Sequence, residues 1–190
     1  MDLRAEKAKL QEAIRQRLAA VPENDRAVES RGVCKNLIKL LPTTGVVAGF
    51  IPIHNEVDIR PILQECLHRH LDLFLPRMEG KLVFRRVTDL TSLKIGSLNI
   101  PEPPADAELL DLSALTLAII PGRAFDREGN RMGRGNGGYD IWLRSLRATN
   151  PNARVVGVAL ECQLVSSIPM ETHDERVDMV VTARGVAGKN

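Results

Sequence analysis

The sequence predicts an α/β protein: an open, mostly parallel sheet flanked by helices, in a single domain spanning 1–190. Three observations carry that expectation. Helical and strand patterns alternate along the chain, as in folds with a parallel sheet. The strongest strand segments, GVVAGFIPI (45–53), LTLAIIPG (115–122) and ARVVGVAL (153–160), are continuous apolar runs, which suits strands buried on both faces. With 190 residues, 44% apolar and 26% charged, the chain can build one sizeable core and is not a disordered sequence.

In chain order, Leu10, Ile14 and Leu18 recur every four residues and predict an amphipathic helix over 3–20. Pro22 and Asn24 interrupt. Val28, Val33, Leu37 and Leu41 then mark a second helix that ends before Pro42. The strand at 45–53 follows, and then a helix over 59–71, with Asp58 as its cap and Pro61 in its first turn. Segments 71–77 and 81–87 read as strands around a Glu79-Gly80 turn. IPEPPADAEL (100–109) reads as a proline-rich surface loop with neither period. After the strand at 115–122 come a helix at 139–148, a strand at 153–160 and a last strand at 177–183 near a sheet edge.

Composition excludes several functions. A net charge of +2 gives no basic surface for nucleic acid, and 3% aromatic residues leave no stacking platform for single strands. The charged N-terminus has no apolar h-region, and no run of eighteen apolar residues is present, so neither a signal peptide nor a membrane helix is expected. Cys34, Cys66 and Cys162 read as buried free thiols of a reducing, cytoplasmic protein. Nothing in the sequence indicates an oligomeric state.

The segment GNRMGRGNGGY (129–139) holds five glycines and two arginines after an apolar strand. Glycines let main-chain amides converge on an anion, a following helix N-terminus adds its dipole, and Arg131 and Arg134 supply forked donors. A polyphosphate cradle fits these features, and so does a solvated surface loop. The segment is not a P-loop, because no Lys-Ser or Lys-Thr closes it. It also comes too late in the chain for a dinucleotide fingerprint.

The longer segment PGRAFDREGNRMGRGNGGYD (121–140) resembles the signature of the 5-formyltetrahydrofolate cyclo-ligase family, roughly PGxAFDxxGxRLGxGxGYYDRxL. Thirteen positions from Pro121 to Leu143 match in register. GFIPIHNEVDI, FLPR, NIPEP, GVALECQ and IPMETHDERVDMVV follow the same family's order over nearly the whole chain.

The resemblance implies an enzyme that uses ATP and Mg²⁺ to convert 5-formyltetrahydrofolate to 5,10-methenyltetrahydrofolate, releasing ADP and phosphate. It places Arg131, Gly133, Arg134, Gly135, Asn136, Gly137, Gly138 and Tyr139 around the ATP phosphates, with Lys7 and Gln11 reaching them from the first helix. Arg134, on the transferring group, and Tyr139 take the catalytic roles. Glu56 accepts hydrogen bonds from the pterin, and Ile51, Phe50 and Tyr139 line its pocket. Asp140 and Asp174 are the implied Mg²⁺ ligands, a hard-oxygen pair of the kind that ion prefers. Read without the resemblance, Asp140 is equally a helix cap, Asp174 part of a solvated acidic stretch, and Glu56 a helix-start acid.

Three departures fall on implied contacts. Gln11 replaces an arginine, with Arg15 one turn on as a substitute; Gly138 replaces a tyrosine; Ile141 replaces an arginine. They keep open an alternative, a divergent paralogue with a nucleotide-like pocket and altered or lost activity, and a third reading as a non-enzymatic binding protein.

Overall fold

The computed structural model describes residues 3–96 and 99–188. Four helices, α1 (Leu3–Ala20), α2 (Glu23–Leu37), α3 (Arg60–His68) and α4 (Gly138–Thr149), accompany twelve strands. The strands are β1 (Val46–Ala48), β2 (Asp72–Glu79), β3 (Lys81–Val87), β4 (Lys94–Ile95), β5 (Pro101–Glu102), β6 (Leu115–Ile120), β7 (Ala124–Asp126), β8 (Arg131–Met132), β9 (Arg154–Val158), β10 (Leu164–Val165), β11 (Met179–Thr182) and β12 (Gly185–Ala187). Seven form the main sheet, in the order β12-β11-β9-β6-β1-β2-β3. Its central pairs are parallel, and only the outer hairpins β2–β3 and β11–β12 are antiparallel. The expected open, mostly parallel sheet is therefore present.

The apolar runs become two-sided strands for the reason the sequence suggests. In β6, Leu117 and Ile119 face the core beneath α1, α2 and α3, while Ala118 and Ile120 face the core beneath α4. The α4 side is built from Trp142, Leu143 and Leu146 packed on Phe84 and Phe125, with the Phe84 and Trp142 rings 4.4 Å apart. Among the described residues no helix is long and apolar enough to cross a membrane. Cys66 is fully buried, and burial pushes its thiol up to about 12.

Several expected boundaries shift. Strand β1 stops at Ala48 rather than Ile53: the Gly49 N–H still donates to the Phe74 carbonyl at 2.9 Å, and further on Pro52 has no N–H and the Ile53 N–H donates to Glu56 Oε2 at 3.1 Å. Helix α2 ends at Leu37, and Val28, which sits about 140° around the helix from Val33, is exposed. Helix α3 starts at Arg60, whose N–H donates to Asp58 Oδ1, so Asp58 acts one residue earlier than a regular cap. The proline-rich loop contributes β5, paired with β4. The edge beyond β11 is taken by β12, a strand the sequence reading omits. The glycine segment does not run directly from β6 into α4, because the hairpin β7–β8 intervenes.

That hairpin is pinned by Asp126, 1% exposed. Its carboxylate accepts four bonds of 2.8–3.0 Å, from the N–H groups of Glu128, Asn130 and Ile168 and from Asn130 Nδ2. Asp126→Ala would strand these donors and is expected to lower stability by about 3 kcal/mol or more. Urea denaturation checks this, and a loss under about 1 kcal/mol would mean that the hairpin is held elsewhere.

Candidate active site

The strand order reverses between the parallel neighbours β1 and β6, with β2 and β3 lying to one side of β1 and β9 and β11 to the other side of β6. Open α/β sheets bind ligands at such a switch point, beyond the carboxyl ends of the strands. Here the early end of β1 sharpens the feature. Strand β2 runs five residues past its last partner on β1, since Ala48 pairs with Phe74 and β2 ends at Glu79. The gap is a cleft that opens to solvent, with about 120 Å³ of space a water-sized sphere can enter. Phe50 and Ile51 lie under it, Pro76, Arg77, Met78 and Leu82 form one wall, and Pro121, Gly122 and the glycine loop form the other.

The loop owes its shape to glycine at two positions. Gly135 and Gly137 have φ of +93° and +65°, in the left-handed region that penalises other residues. Gly137 is the N-cap of α4, so the helix's free N–H groups begin at the cleft. Asn136 Oδ1 accepts from the Gly138 N–H at 3.4 Å, which steadies the turn.

Charged groups in and beside the cleft are paired with one another. Arg134 Nη2 donates to Glu56 Oε1 at 2.5 Å, joining the implied phosphate arginine to the implied pterin acid. Arg131, 3% exposed, donates from Nη2 to Asp140 Oδ1 at 2.8 Å and from Nη1 to the Pro121 carbonyl at 3.4 Å, and it lies 5.6 Å from the Tyr139 ring centre. Its Nε is buried with no acceptor among the described residues. Burial raises the Tyr139 phenol, and the Glu56 charge adds to that rise against the smaller opposing effects of Arg131 and Arg134, so the hydroxyl stays protonated.

Ile51, Glu56, Arg131, Gly133, Arg134, Asn136, Gly137, Gly138, Tyr139 and Asp140 line this one cleft; Lys7, Gln11, Gly135 and Asp174 do not. Lys7 Nζ instead bridges Glu171, at 2.6 Å, and Asp174. The two expected metal ligands are thus engaged separately, Asp140 by Arg131 and Asp174 by Lys7. The Glu175 N–H, 3.3 Å from Asp140 Oδ1, ties the 171–175 segment to the cleft wall. Among the described residues Glu171, His173 and Asp174 are close enough to share an ion, and Glu171 is absent from the sequence-derived set. Gln11 lies one turn from Lys7 on the same face of α1, whereas Arg15 is exposed and held by Glu12 at 2.7 and 2.8 Å. Also absent from that set are Arg77, Met78 and Glu102, although FLPR and NIPEP are visible as motifs.

Comparison with known proteins decides the family. The model of the 5-formyltetrahydrofolate cyclo-ligase family matches residues 3–183. The chain belongs to that family. A 5-formyltetrahydrofolate cyclo-ligase from Escherichia coli (strain K12) is 33% identical over 141 residues, covering 72% of this chain and 76% of its own. The mouse cyclo-ligase is 28% identical over 184 residues, covering 90% and 91%. Among solved structures, the Aquifex aeolicus 5,10-methenyltetrahydrofolate synthetase superposes with a TM-score of 0.81 at 33% identity, covering 95% of this chain and 91% of that one.

The Lys7–Asp174 pair has a defined pH window. Burial favours a neutral lysine, but the hydrogen bonds and charges of Asp174 and Glu171 outweigh it and hold the ammonium above 10.5. Burial likewise opposes the Asp174 carboxylate, and the Glu171 N–H and Lys7 outweigh it, holding that group below 3.8. The lysine's contribution is full below its unfolded value and lost as pH rises through the folded one. The carboxylate's is full above its unfolded value and lost as pH falls through the folded one. Lys7→Met should therefore cost about 1–2 kcal/mol at neutral pH, and the deficit should shrink as the pH falls from 3.8 through the lower folded value of Asp174. Denaturation across pH checks this, and a deficit that persists in acid would break the assignment.

Proposed function

We propose that this chain carries out the ATP-dependent closure of 5-formyltetrahydrofolate to 5,10-methenyltetrahydrofolate, releasing ADP and phosphate. One observation carries the reading. In a member of this family, a single switch-point cleft joins a glycine–arginine loop at a helix N-terminus to an apolar floor that holds an acid.

The residues fit the reactants. The buried Arg131 Nε lacks an acceptor, and a phosphate oxygen is one. No atom stands within 4 Å of where a side chain would begin at Gly135 or Gly137, so the main chain there is open to an anion. Asp140, Glu171 and Asp174 offer hard carboxylate oxygens of the kind Mg²⁺ takes, with Lys7 as the cation that now neutralises two of them.

An amide oxygen is a poor leaving group. ATP supplies the phosphoryl group that lets the formyl oxygen depart as phosphate, and Mg²⁺ neutralises the charge involved. The protein's part is positioning and electrostatics. Arg134, partly exposed at the rim, turns from Glu56 to the transferring phosphoryl, while Gly133 to Gly138 and the start of α4 hold the others. Glu56, relieved of Arg134, accepts from pterin N–H groups. Phe50 and Ile51 keep water from the ring, and the protonated Tyr139 hydroxyl donates a hydrogen bond beside it. N10 of the folate then attacks the activated formyl carbon, and no covalent protein intermediate is needed.

The test is spectroscopic. Methenyltetrahydrofolate absorbance should appear only when protein, 5-formyltetrahydrofolate and Mg-ATP are all present. Arg134→Ala should lower kcat/KM about 100-fold or more, as expected for loss of a preorganised charged donor. A folded protein that binds ATP and makes no product would instead favour the divergent paralogue.

A further inference from the structure

We propose that Glu102 is a second carboxylate acceptor in the cleft, reading ring N–H groups of the reduced pterin and so discriminating for folate. The proposal deepens the function proposed above and rests on it.

Glu102 ends β5, in the Pro101-Glu102-Pro103 sequence, where two fixed φ angles set its direction. Its residue is 5% exposed and lines the cleft beside Met78 and Ile100. A Cβ at Gly96 would fall 2.3 Å from Glu102 Oε2, so the backbone there closes directly over the carboxylate. A carboxylate so enclosed requires donors. Among the described residues it has poor ones. The Met78 N–H is 3.4 Å from Oε1, and Arg77 Nη1 lies 3.5 Å from Oε2. Arg77 spends its shorter bonds elsewhere, on the Pro103 carbonyl at 2.9 Å and on Glu79 at 3.1 Å.

Two other acids in the chain show the contrast. Asp126, equally buried and purely structural, accepts four bonds of 3.0 Å or less. Glu56 has one short partner for each oxygen, Arg134 and the Ile53 N–H. Glu102 is thus an enclosed acid of the cleft whose hydrogen-bonding capacity the described residues leave largely unused. Charge selects between the two reactants. A triphosphate is repelled by a carboxylate and has cations and glycine amides at the other wall, whereas a reduced pterin is uncharged and rich in N–H donors.

The experiment is equilibrium binding to wild type and Glu102→Gln, titrating 5-formyltetrahydrofolate without nucleotide and, separately, a non-hydrolysable ATP analogue with Mg²⁺, with thermal melts in parallel. The exchange keeps side-chain volume and replaces one acceptor oxygen with a donor. The expected result is tenfold or greater weakening for folate, a change under twofold for the nucleotide, and an unchanged or raised Tm, because an under-partnered buried charge has been removed. Glu102→Asp, which keeps the charge but withdraws it, should also weaken folate binding alone. Unchanged folate affinity in both variants would overturn the proposal, and so would a lowered Tm with parallel loss of both ligands, the mark of a structural acid. A wild-type protein that binds the nucleotide but no folate would overturn the underlying function instead.

Discussion

Opposite charges in and around the cleft hold one another. Arg134 meets Glu56, Arg131 meets Asp140, and Lys7 meets Asp174 and Glu171. Two of the pairs join segments far apart in the chain, the glycine loop to the loop between β1 and α3, and α1 to the 171–175 segment; the third ties the β8 strand to the nearby start of α4. Their energies differ with burial. The Arg131 side chain is 2% exposed, so removing Asp140 would leave an uncompensated buried charge, a loss of about 3–5 kcal/mol. Arg134 is 38% exposed, and its pair contributes about 1 kcal/mol at most. The first is a fixed part of the wall; the second is cheap to exchange for a ligand.

That difference connects fold to function. A cleft with a permanently free guanidinium and a free carboxylate side by side would carry a large desolvation cost before any ligand arrived. Pairing them stores the same groups at low cost, on a loop whose two left-handed glycines leave it open to anions. The cleft itself follows from backbone arithmetic. β1 ends at Ala48, β2 continues to Glu79, and the stretch of β2 beyond Phe74, paired only to β3, becomes a wall.

Much of this was legible in the sequence, though unevenly. Continuous β-branched runs announced the buried strands, and LTLAIIPG became β6 with both faces packed. The glycine segment and the wider resemblance named eleven of the residues that line the cleft, Phe50 included. Pairings across long sequence distances were not legible, because periodicity reports the burial of a face and not the partner of a charge. Hence the pairing of Lys7 with Asp174, 167 positions apart, was not foreseen. Short strands such as β5 and β12 escaped for a related reason: two or three residues carry no period. Glu102 lay in a visible motif, but its enclosure depends on Gly96 and Arg77, which no local pattern connects to it.

The most direct measurement is a crystal structure of the protein with Mg²⁺ and a non-hydrolysable ATP analogue. If paired charges are exchanged for ligand, the Arg134 guanidinium will have left Glu56 and will contact a phosphate oxygen inside the cleft, with Arg131 still on Asp140. A nucleotide bound elsewhere, with Arg134 and Glu56 still joined, would contradict that exchange.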